Sequence, residues 1–475
     1  MYIAGSWTSA VSGATFEVTN PATGAVLGQV PDAAAIDATQ AIDAAATAAE
    51  QWALTPAFAR ADLLLKAWQL MTERTEQMAA LMTAEQGKPL GTARFEVTYA
   101  ADFLRWFAEE ARRIEGAWLS SSRSDQRFLQ VHAPVGIVAA ITPWNYPVSM
   151  LTRKLGPALA AGCTVVLKPA EATPLCARAV VEIFHDAGFP AGVVNLVTAS
   201  VPGPIGEVFT GDQRVRKLTF TGSTAVGRML AARATQNLQR VSMELGGHAP
   251  MIVFPDADPV HAAKGAAALK FLNAGQACIS ANRIYVHDDF VEVFTDTIVP
   301  RVRALSVGDG SEPGVRVGPL INAAAVDKVA AQVSDARAKG AAVPVGGHRL
   351  DEGPLAAGHF YAPTVLTGVT AEMDIYTQET FGPVAPIIRY DDVDRVIEAA
   401  NDTAYGLAAY VYTNDIRTAM RAVEGLRFGI IGVNDINPTS ASVPFGGMKD
   451  SGLGREGGHE GLAEYLETKV AGFAL

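Results

Sequence analysis

A regular alternation of short apolar runs and helix-like segments between Val138 and Glu244 constrains the fold more than any other feature of this sequence. Apolar runs that predict β-strands occur at Val138–Thr142, Thr164–Lys168, Val193–Val197, Lys217–Thr221 and Arg240–Glu244. Segments that predict helices lie between them, at Val148–Leu159, Pro174–Ala187, Gly203–Thr210 and Thr224–Ala234. This succession favours a doubly wound parallel sheet, in which ligands bind beyond the carboxyl ends of the strands.

Two further regions flank the alternation. Before it, the sequence predicts helices at Ala33–Trp52, Ala59–Gln86 and Arg94–Glu115, and a β-like segment at Phe128–Ala139. After it, a second α/β region extends from Met251 to about Pro438, with helices predicted at Pro259–Phe271 and Ala323–Lys339 and strands at Arg283–Val286, Val384–Ile388 and Ala408–Tyr412. A length of 475 residues is consistent with about three domain-sized units.

Charge and composition argue against several classes of function. The net charge of −11, without any Lys/Arg-rich run, makes nucleic acid an unexpected partner. No apolar segment is long enough to span a membrane, and the N-terminus lacks the features of a signal peptide. The three cysteines are too few for a disulfide framework, and they predict a cytoplasmic protein. No metal site is predicted.

The stretch FLNAGQACISANR, Phe271–Arg283, contains a cysteine in an unusual setting. Cys163 and Cys176 lie in apolar patterns that are typical of small core residues. The neighbours of Cys278, in contrast, are small or carry amides, which leaves room for a substrate to approach. Cys278 is therefore a candidate nucleophile.

A nucleophilic cysteine needs a base, and it needs a donor for the oxyanion that it creates. Glu244, at the end of a predicted strand in MELGGHAP, is a candidate base; alternatively, backbone N–H groups hold this carboxylate. Asn145 in TPWNYP is a candidate oxyanion donor; alternatively, it caps the helix that follows.

Two strand-to-helix turns carry residues suited to a dinucleotide. In FTGSTAVGR, backbone N–H groups near Gly222 and Ser223 can meet a pyrophosphate, although the segment is neither GxGxxG nor a P-loop. In VVLKPAEATP, Lys168 and Glu171 follow a strand, where Glu171 can accept hydrogen bonds from a ribose. Alternatively, the two residues form a solvated pair in a loop.

Together these motifs resemble those of the aldehyde dehydrogenase family. TPWNYP, KPAEATP, FTGSTAVG, MELGGHAP, NAGQACISANR, QETFGPV and PFGGMKDSGLGRE occur in family order from about Pro143 to Arg455. The resemblance implies an α/β fold with a Rossmann-type cofactor domain, an α/β catalytic domain and a β oligomerisation arm. It places the NAD-binding domain at 1–118 and 139–246, the catalytic domain at 247–448, and the arm with the C-terminal segment at 119–138 and 449–475.

The resemblance also implies the chemistry. Cys278 corresponds to the nucleophile, Glu244 to the base that activates water, and Asn145 with the N–H of Cys278 to the oxyanion hole. A thiohemiacetal forms, hydride passes to a nicotinamide, and water releases the acid from a thioester. The cofactor-binding residues implied in this way are Thr142, Trp144, Lys168, Glu171, Gly222, Ser223, Leu245, Glu379 and Phe381. Because the carboxylate of Glu171 would repel a 2′-phosphate, we predict NAD rather than NADP.

The nearest subgroup by resemblance is the succinate-semialdehyde dehydrogenases. Arg153 and Ser440 correspond to residues that contact the substrate carboxylate there, although Arg153 is alternatively a surface residue of its helix. Tyr146 and Leu272 are further candidates for substrate binding. Leu272 departs from the subgroup, which has a second arginine at that position. The substrate is therefore succinate semialdehyde, glutarate semialdehyde, another acidic semialdehyde or a less polar aldehyde.

Three functional hypotheses follow. The first is a hydrolytic aldehyde dehydrogenase, the second a relative that passes its acyl group to coenzyme A, and the third a non-catalytic binding protein. Glu244 argues against the second, and the presence of Cys278, Glu244 and Asn145 together argues against the third. The resemblance also implies a homodimer or homotetramer that binds a small aldehyde, with FLQVHAPVGIV and YLETKVAGFAL in the oligomerisation arm.

Overall fold

The computed structural model describes residues 1–475 and contains twenty β-strands and fifteen α-helices. The strands are β1 (Tyr2–Ile3), β2 (Ser6–Trp7), β3 (Thr15–Thr19), β4 (Val26–Pro31), β5 (Ala117–Leu119), β6 (Gln126–Pro134), β7 (Ile137–Ile141), β8 (Thr164–Lys168), β9 (Val194–Leu196), β10 (Val215–Thr221), β11 (Arg240–Glu244), β12 (Ala249–Val253), β13 (Ala281–His287), β14 (Ala342–Val345), β15 (Thr364–Thr367), β16 (Val384–Tyr390), β17 (Ala408–Tyr412), β18 (Ile430–Val433), β19 (Gly452–Leu453) and β20 (Leu466–Ala474). The helices are α1 (Ala35–Leu54), α2 (Ala57–Glu73), α3 (Thr75–Gln86), α4 (Leu90–Ala111), α5 (Ser149–Ala161), α6 (Pro174–Ala187), α7 (Gly203–Gly211), α8 (Thr224–Ala234), α9 (Pro259–Phe271), α10 (Val291–Arg303), α11 (Ala323–Ala338), α12 (Asp374–Thr377), α13 (Val396–Asn401), α14 (Ile416–Gly425) and α15 (Gly458–Ala463).

The first sheet contains all five strands predicted from the strand–helix alternation. Its order is β19-β11-β10-β7-β8-β9-β1-β2. The five central strands, β7 to β11, pair in parallel, and β1 and β19 add antiparallel edges. Several bounds coincide with the prediction because local residues end each element: α6 begins at Pro174 and ends before Gly188, which has a φ of 90°. The predicted doubly wound α/β fold is confirmed.

The second sheet has the order β14-β15-β16-β13-β12-β17-β18, and only β14 pairs antiparallel. The segment Leu245–His248 connects β11 of the first sheet to β12 of the second. The carboxyl ends of the first sheet therefore face the amino ends of the second. Glu244 ends β11, Asn145 follows β7, and Cys278 precedes β13, so this junction collects the predicted catalytic residues.

A separate three-stranded sheet, β20-β6-β5, carries several exposed apolar side chains. Trp118, Val470 and Phe473 are exposed, and the rings of Trp118 and Phe473 stack with their centroids 6.5 Å apart. The β-like segment predicted at Phe128–Ala139 divides here, because Gly136, with a φ of 118°, separates β6 from β7. The two halves therefore belong to different sheets.

The predicted helix at Ala59–Gln86 is wrong in one respect, because it is two helices. Arg74, with φ of −95° and ψ of 15°, interrupts it between α2 and α3, and its side chain pairs with Asp186 of α6 at 2.6 Å. The helix predicted from Arg94 starts earlier, at Leu90, directly after Pro89. Pro89 restricts the backbone directly before the helix and so sets its first residue. The apolar periodicity alone does not show that the helix starts at Leu90.

The buried side chains form one cluster around the second sheet and two on the faces of the first. Each sheet thus has its own core, as expected for separate α/β units. The domain boundaries given above stay a prediction; Gly452–Leu453, from the segment assigned to the arm, pairs with β11. None of the helices combines the length and apolar character that crossing a membrane requires.

Candidate active site

The segment that leads to Cys278 has an unusual backbone conformation. Asn273, Ala274 and Gly275 are all left-handed, with φ of 50°, 55° and 72°. A non-glycine residue in this region costs on the order of 1 kcal/mol or more, so surrounding contacts must stabilise the turn. At Gly275 a Cβ would lie 2.1 Å from the carbonyl oxygen of Gly382, which excludes any larger residue.

The buried side chain of Gln276 supplies those contacts. Its Oε1 accepts a hydrogen bond from the N–H of Ile321 at 2.9 Å. Its Nε2 donates to the carbonyl oxygens of Asn273 at 3.2 Å and Pro319 at 3.3 Å. Gln276 thus ties the turn to the loop before α11 and holds the backbone that continues to Cys278.

Asn145 lies against the same turn. Its Nδ2 donates to the carbonyl oxygen of Gln276 at 3.0 Å, and its own carbonyl oxygen accepts from Nδ2 of Asn273 at 2.9 Å. The alternative role of Asn145 as a helix cap is wrong, because α5 begins at Ser149 with Val148 as its N-cap. The Asn145 amide is instead buried beside the loop of the cysteine.

A buried ion pair that sequence reasoning missed supports this arrangement. Lys88 pairs with Glu96 and also donates to the carbonyl oxygen of Asn145 at 2.8 Å. Glu96 accepts from the N–H groups of Val148 at 2.9 Å and Ser149 at 3.2 Å, at the start of α5. In the sequence, Lys88 is marked only by its place directly before Pro89, the residue that precedes α4. Its partner Asn145 is 57 residues away, so the contact could not be inferred from the sequence.

Cys278 lies between two cavities. One, of about 280 Å³, is bounded by residues predicted to bind cofactor; the other, of about 80 Å³, contains candidate substrate-binding residues, and Cys278 lines both. The thiol can therefore contact a ligand in either cavity. The predicted residues that line the first cavity are Trp144, Asn145, Gly222, Ser223, Leu245, Glu379 and Phe381.

The thiol of Cys278 is protonated at neutral pH in this ligand-free state. Burial raises its pKa to about 12, and the nearby carboxylates of Glu379 and Glu244 add to the rise. The guanidinium of Arg153 opposes the shift, but burial is the larger effect. A base must therefore remove the thiol proton before the sulfur can attack.

Glu244 is suited to act as a base. It is buried, and neither carboxylate oxygen has a hydrogen-bond partner. The alternative that backbone N–H groups hold this carboxylate is therefore wrong. Burial raises the pKa of Glu244 well above its usual value, and the neighbouring Glu456 raises it further. Space beside the carboxylate is kept by Gly446, where a Cβ would lie 2.9 Å from Oε1 of Glu244.

The turn between β10 and α8 has features that suit a pyrophosphate. Ser223 is the N-cap of α8, and its Oγ accepts from the N–H of Val226 at 3.4 Å. Helix N-termini attract anions through their free N–H groups and their dipole. Leu245 lines the same cavity, and the buried hydroxyl of Thr221 there has no partner.

The opposite wall of this cavity is formed by Glu379 and Phe381. Oε1 of Glu379 accepts from the N–H of Gly247 at 2.9 Å, and burial raises the pKa of Glu379 to about 7. Phe381 has a φ of 54°, and its ring meets that of Trp144 edge-on with centroids 5.6 Å apart. Lys328, which sequence reasoning missed, also lines the cavity.

The loop after β8 contains the other predicted cofactor residues. Lys168 is almost fully buried, whereas the side chain of Glu171 is 52% exposed, and the two form an ion pair at 3.6 Å. The N–H of Thr142, at the end of the neighbouring strand β7, donates to the carbonyl oxygen of Lys168 at 3.1 Å. Glu171 therefore projects its carboxylate into solvent beyond the first sheet.

Arg153 is buried in the wall of the smaller cavity, so its alternative assignment as a surface residue is wrong. It is 2% exposed, and its guanidinium lies 3.8 Å from the ring centre of Phe445. Nη2 lies 3.1 Å from a carboxylate oxygen of Glu456. Nε and Nη2 nevertheless lack a well-aligned hydrogen-bond acceptor. Arg153 therefore presents donors to a site beside Cys278.

The remaining substrate candidates lie at different places. Tyr146 and Leu272 both line the cavity of Cys278, and Leu272 is 40% exposed. Ser440 is exposed and does not line the cavity; its hydroxyl lies 2.9 Å from that of Ser442. Its neighbour Thr439 lines the cavity instead.

Comparison with known proteins agrees with this geometry. Residues 7–471 match the aldehyde dehydrogenase family. The chain belongs to the aldehyde dehydrogenase family. This membership confirms the resemblance noted in the sequence, the fold class and the assignment as an enzyme.

Individual members of the aldehyde dehydrogenase family are closely similar to this chain. A probable succinate-semialdehyde dehydrogenase [NADP(+)] of Sinorhizobium fredii is 50% identical over 96% of this chain and 92% of its own length. A glutarate-semialdehyde dehydrogenase of Pseudomonas putida is 47% identical over 98% of this chain and 96% of its own. A crystal structure described as an E. coli NADP dependent enzyme superposes with a TM-score of 0.98 at 47% identity, covering 100% of this chain and 98% of that one.

Proposed function

We propose that this aldehyde dehydrogenase oxidises a semialdehyde with a terminal carboxylate to the corresponding diacid. The observation that carries the proposal is the position of Cys278 in the walls of two cavities, one lined by predicted cofactor-binding residues and a smaller one lined by Arg153. The similar proteins named for succinate semialdehyde and glutarate semialdehyde support the same substrate class.

In the proposed mechanism, Cys278 attacks the aldehyde carbon after Glu244 accepts its proton. Burial raises the pKa of both groups, so the transfer depends on the ionised fraction of Glu244. The new oxyanion lies near the N–H of Cys278 and the Nδ2 of Asn145, which turns toward it from its bond with Gln276.

The cavity lined by Glu379 and Phe381 offers groups that suit a nicotinamide cofactor. The N-terminus of α8, the unpartnered hydroxyl of Thr221 and the carboxylate of Glu379 offer contacts for phosphate and ribose groups. When bound, the nicotinamide supplies the acceptor for the hydride of the adduct on Cys278. The rings of Phe381 and Trp144 form an apolar part of the wall of this cavity, which Cys278 also lines.

Glu244 then activates water to release the acid from the thioester on Cys278. A buried carboxylate with raised pKa and two free oxygens is suited to take a proton from water. This feature supports hydrolysis over transfer to coenzyme A. It also argues against a non-catalytic binding protein, which has no use for an unpartnered buried acid.

The terminal carboxylate of the substrate is proposed to meet Arg153. Nε has no acceptor, and Nη2 faces Glu456 at 3.1 Å without a well-aligned hydrogen bond, so the guanidinium can still donate to a substrate carboxylate. A charge-assisted bond of this kind contributes about 1.5–3 kcal/mol. Leu272 supplies no second cation, so we expect broad tolerance of chain length, with glutarate semialdehyde and less polar aldehydes as alternative substrates. The aromatic rings of Tyr146 and Phe445 favour those alternatives.

We further propose NAD as the preferred dinucleotide. The exposed carboxylate of Glu171 is suited to accept from a ribose 2′-hydroxyl and would repel a 2′-phosphate. Two of the similar proteins carry NADP in their names, which favours the opposite preference. Direct comparison of kcat/KM for the two cofactors decides between them.

Assembly as a homodimer or homotetramer is proposed from the exposed apolar side chains of the β20-β6-β5 sheet. These include Trp118, Val470 and Phe473. The three unpaired cysteines support the predicted cytoplasmic location.

Steady-state kinetics test the proposed function. NADH formation is measured without coenzyme A on aldehydes of two to six carbons, each with and without a terminal carboxylate. We expect Arg153→Met to lower kcat/KM for the semialdehydes about 10–100-fold relative to the plain aldehydes. Leu272→Arg should increase turnover of succinate semialdehyde. Equal losses of kcat/KM on both series would refute the role of Arg153, and absence of reduced cofactor with every aldehyde, whether NAD or NADP is supplied, would refute the function.

A further inference from the structure

A third cavity, of about 1010 Å³, opens outward from the substrate cavity. The two cavities share Phe95, Tyr146, Leu272 and Ile279, so they form one path from the surface to Cys278. We refer to the outer cavity as the vestibule. Its volume is more than ten times the roughly 80 Å³ of the inner cavity. A chain longer than the inner cavity accommodates must extend into the vestibule.

Most of the vestibule wall is apolar, and its charged residues are all cations. Lys264, Arg301 and Arg316 line it, and no aspartate or glutamate does. All three are exposed, and none forms an ion pair or a side-chain hydrogen bond. The chain has a net charge of −11, so carboxylates outnumber cations. A cavity on the path to Cys278 whose only charged residues are three unpaired cations is therefore not expected by chance.

A structural role accounts for only one of these cations. Arg301 lies in the last turn of α10, where positive charge is favourable for the helix dipole. Lys264 lies in the middle of α9, and Arg316 lies outside any helix, so this explanation does not apply to them. On α9, Lys264 shares one face with Ala267, Ala268 and Phe271, and this face lines the vestibule.

We propose that the vestibule binds the carboxylate of extended ω-oxo acids, aldehydes whose acid group lies beyond the reach of Arg153. The aldehyde end is at Cys278, the methylene chain passes the apolar side chain of Leu272, and the acid group lies among Lys264, Arg301 and Arg316. This inference rests on the proposed aldehyde oxidation and adds a second, outer acid subsite to it.

The position of Leu272 supports an inner acid site at Arg153 and a separate outer acid site in the vestibule. A leucine at the junction of the two cavities allows a methylene chain to pass with apolar contact, whereas a cation there would hold a carboxylate at the junction. The vestibule cations are exposed and screened by salt, so their attraction acts over about 8 Å at physiological ionic strength. Their effect should therefore decline as salt is added, unlike that of the buried Arg153.

The test compares 8-oxooctanoate with octanal, and 4-oxobutanoate with butanal, as substrates of the full-length enzyme with saturating cofactor. The variant is K264Q/R301Q/R316Q, and the readout is the ratio of kcat/KM for each acid to that for its matched alkanal. The control K66Q/R303Q/R417Q removes the same charge from exposed cations that line neither cavity and pair with no carboxylate.

We expect the vestibule variant to lower the eight-carbon ratio about tenfold at low salt, with a change of less than about threefold in the four-carbon ratio. The control should change neither ratio by more than about twofold. Equal losses in the variant and the control, or equal losses at both chain lengths, would overturn the inference. If none of the four aldehydes, with or without a carboxylate, gives reduced cofactor with the unmodified enzyme, the proposed function fails instead, and the two failures are thus distinguishable.

Discussion

Replacing Lys88 by methionine tests how the oxyanion donor is held. The change keeps most of the side-chain volume but leaves the buried carboxylate of Glu96 without its cation. Breaking a buried ion pair from one side costs about 3–5 kcal/mol of the free energy of unfolding. The same change removes the 2.8 Å hydrogen bond to the carbonyl oxygen of Asn145, which then retains only the bond from Asn273.

The catalytic effect should be smaller than deletion of the donor itself. Loss of an oxyanion-hole donor lowers kcat about 10²–10³-fold. In Lys88→Met the Asn145 amide is displaced but still present, so kcat should fall by only about 10–100-fold. Lys88→Met is measured by chemical denaturation and by steady-state kinetics. Arg105→Met is the control, since its exposed pair with Glu109 on the same helix contributes less than about 1 kcal/mol.

A second variant separates stability from catalysis. K88M/E96Q removes the uncompensated charge but keeps an oxygen that accepts from the start of α5, so we expect it to recover part of the lost stability. Its kcat should stay low, because the bond to Asn145 is still absent. The reasoning is refuted if Lys88→Met destabilises no more than Arg105→Met, or if K88M/E96Q regains full activity.

Three further predictions concern the site. Because burial raises the pKa of Cys278 and Glu244, their reactive ionised forms increase with pH, and kcat/KM should rise from pH 6 to 9; a flat or falling profile would contradict this. Glu171→Gln should raise kcat/KM for NADP relative to NAD by about tenfold, and an unchanged cofactor ratio would exclude a role for its charge. Gly275→Ala should abolish most activity, since the added Cβ meets the carbonyl oxygen of Gly382, and near-normal turnover would show that the loop adapts.

The parts of the fold that local chemistry determines were predictable from the sequence. β8, β11, α6, α8 and α9 coincide with their predicted bounds, because apolar runs, terminal Pro or Gly residues and, in α8, the Ser223 N-cap define them. The break at Arg74 was not predictable in the same way. Helical periodicity continues through that position, and its pairing with Asp186 depends on tertiary packing.

In the candidate site, too, residues in local motifs were predictable and residues that depend on distant contacts were not. Cys278, Glu244 and Asn145 follow strands or precede them in recognisable motifs, so the sequence alone makes them candidates. Lys88 was missed because its role depends on contacts with residues distant in the chain. The pairing of Arg153 with Glu456 was also missed, since it links α5 to a segment about 300 residues away. Such contacts depend on how the whole chain packs, so the sequence pattern around each residue does not indicate them.

The central claim is that Cys278 forms a thioester that Glu244 then releases. Above pH 9, where hydroxide can remove the thiol proton in place of the base, Glu244→Gln should still form the adduct slowly and should slow its release about 10²–10⁴-fold. Intact-protein mass spectrometry after mixing this variant with NAD and succinate semialdehyde measures the adduct. We predict an added succinyl group that peptide mapping assigns to Cys278, with about one NADH formed per chain. NADH without an adduct, or an adduct on Cys163 or Cys176, would contradict the account.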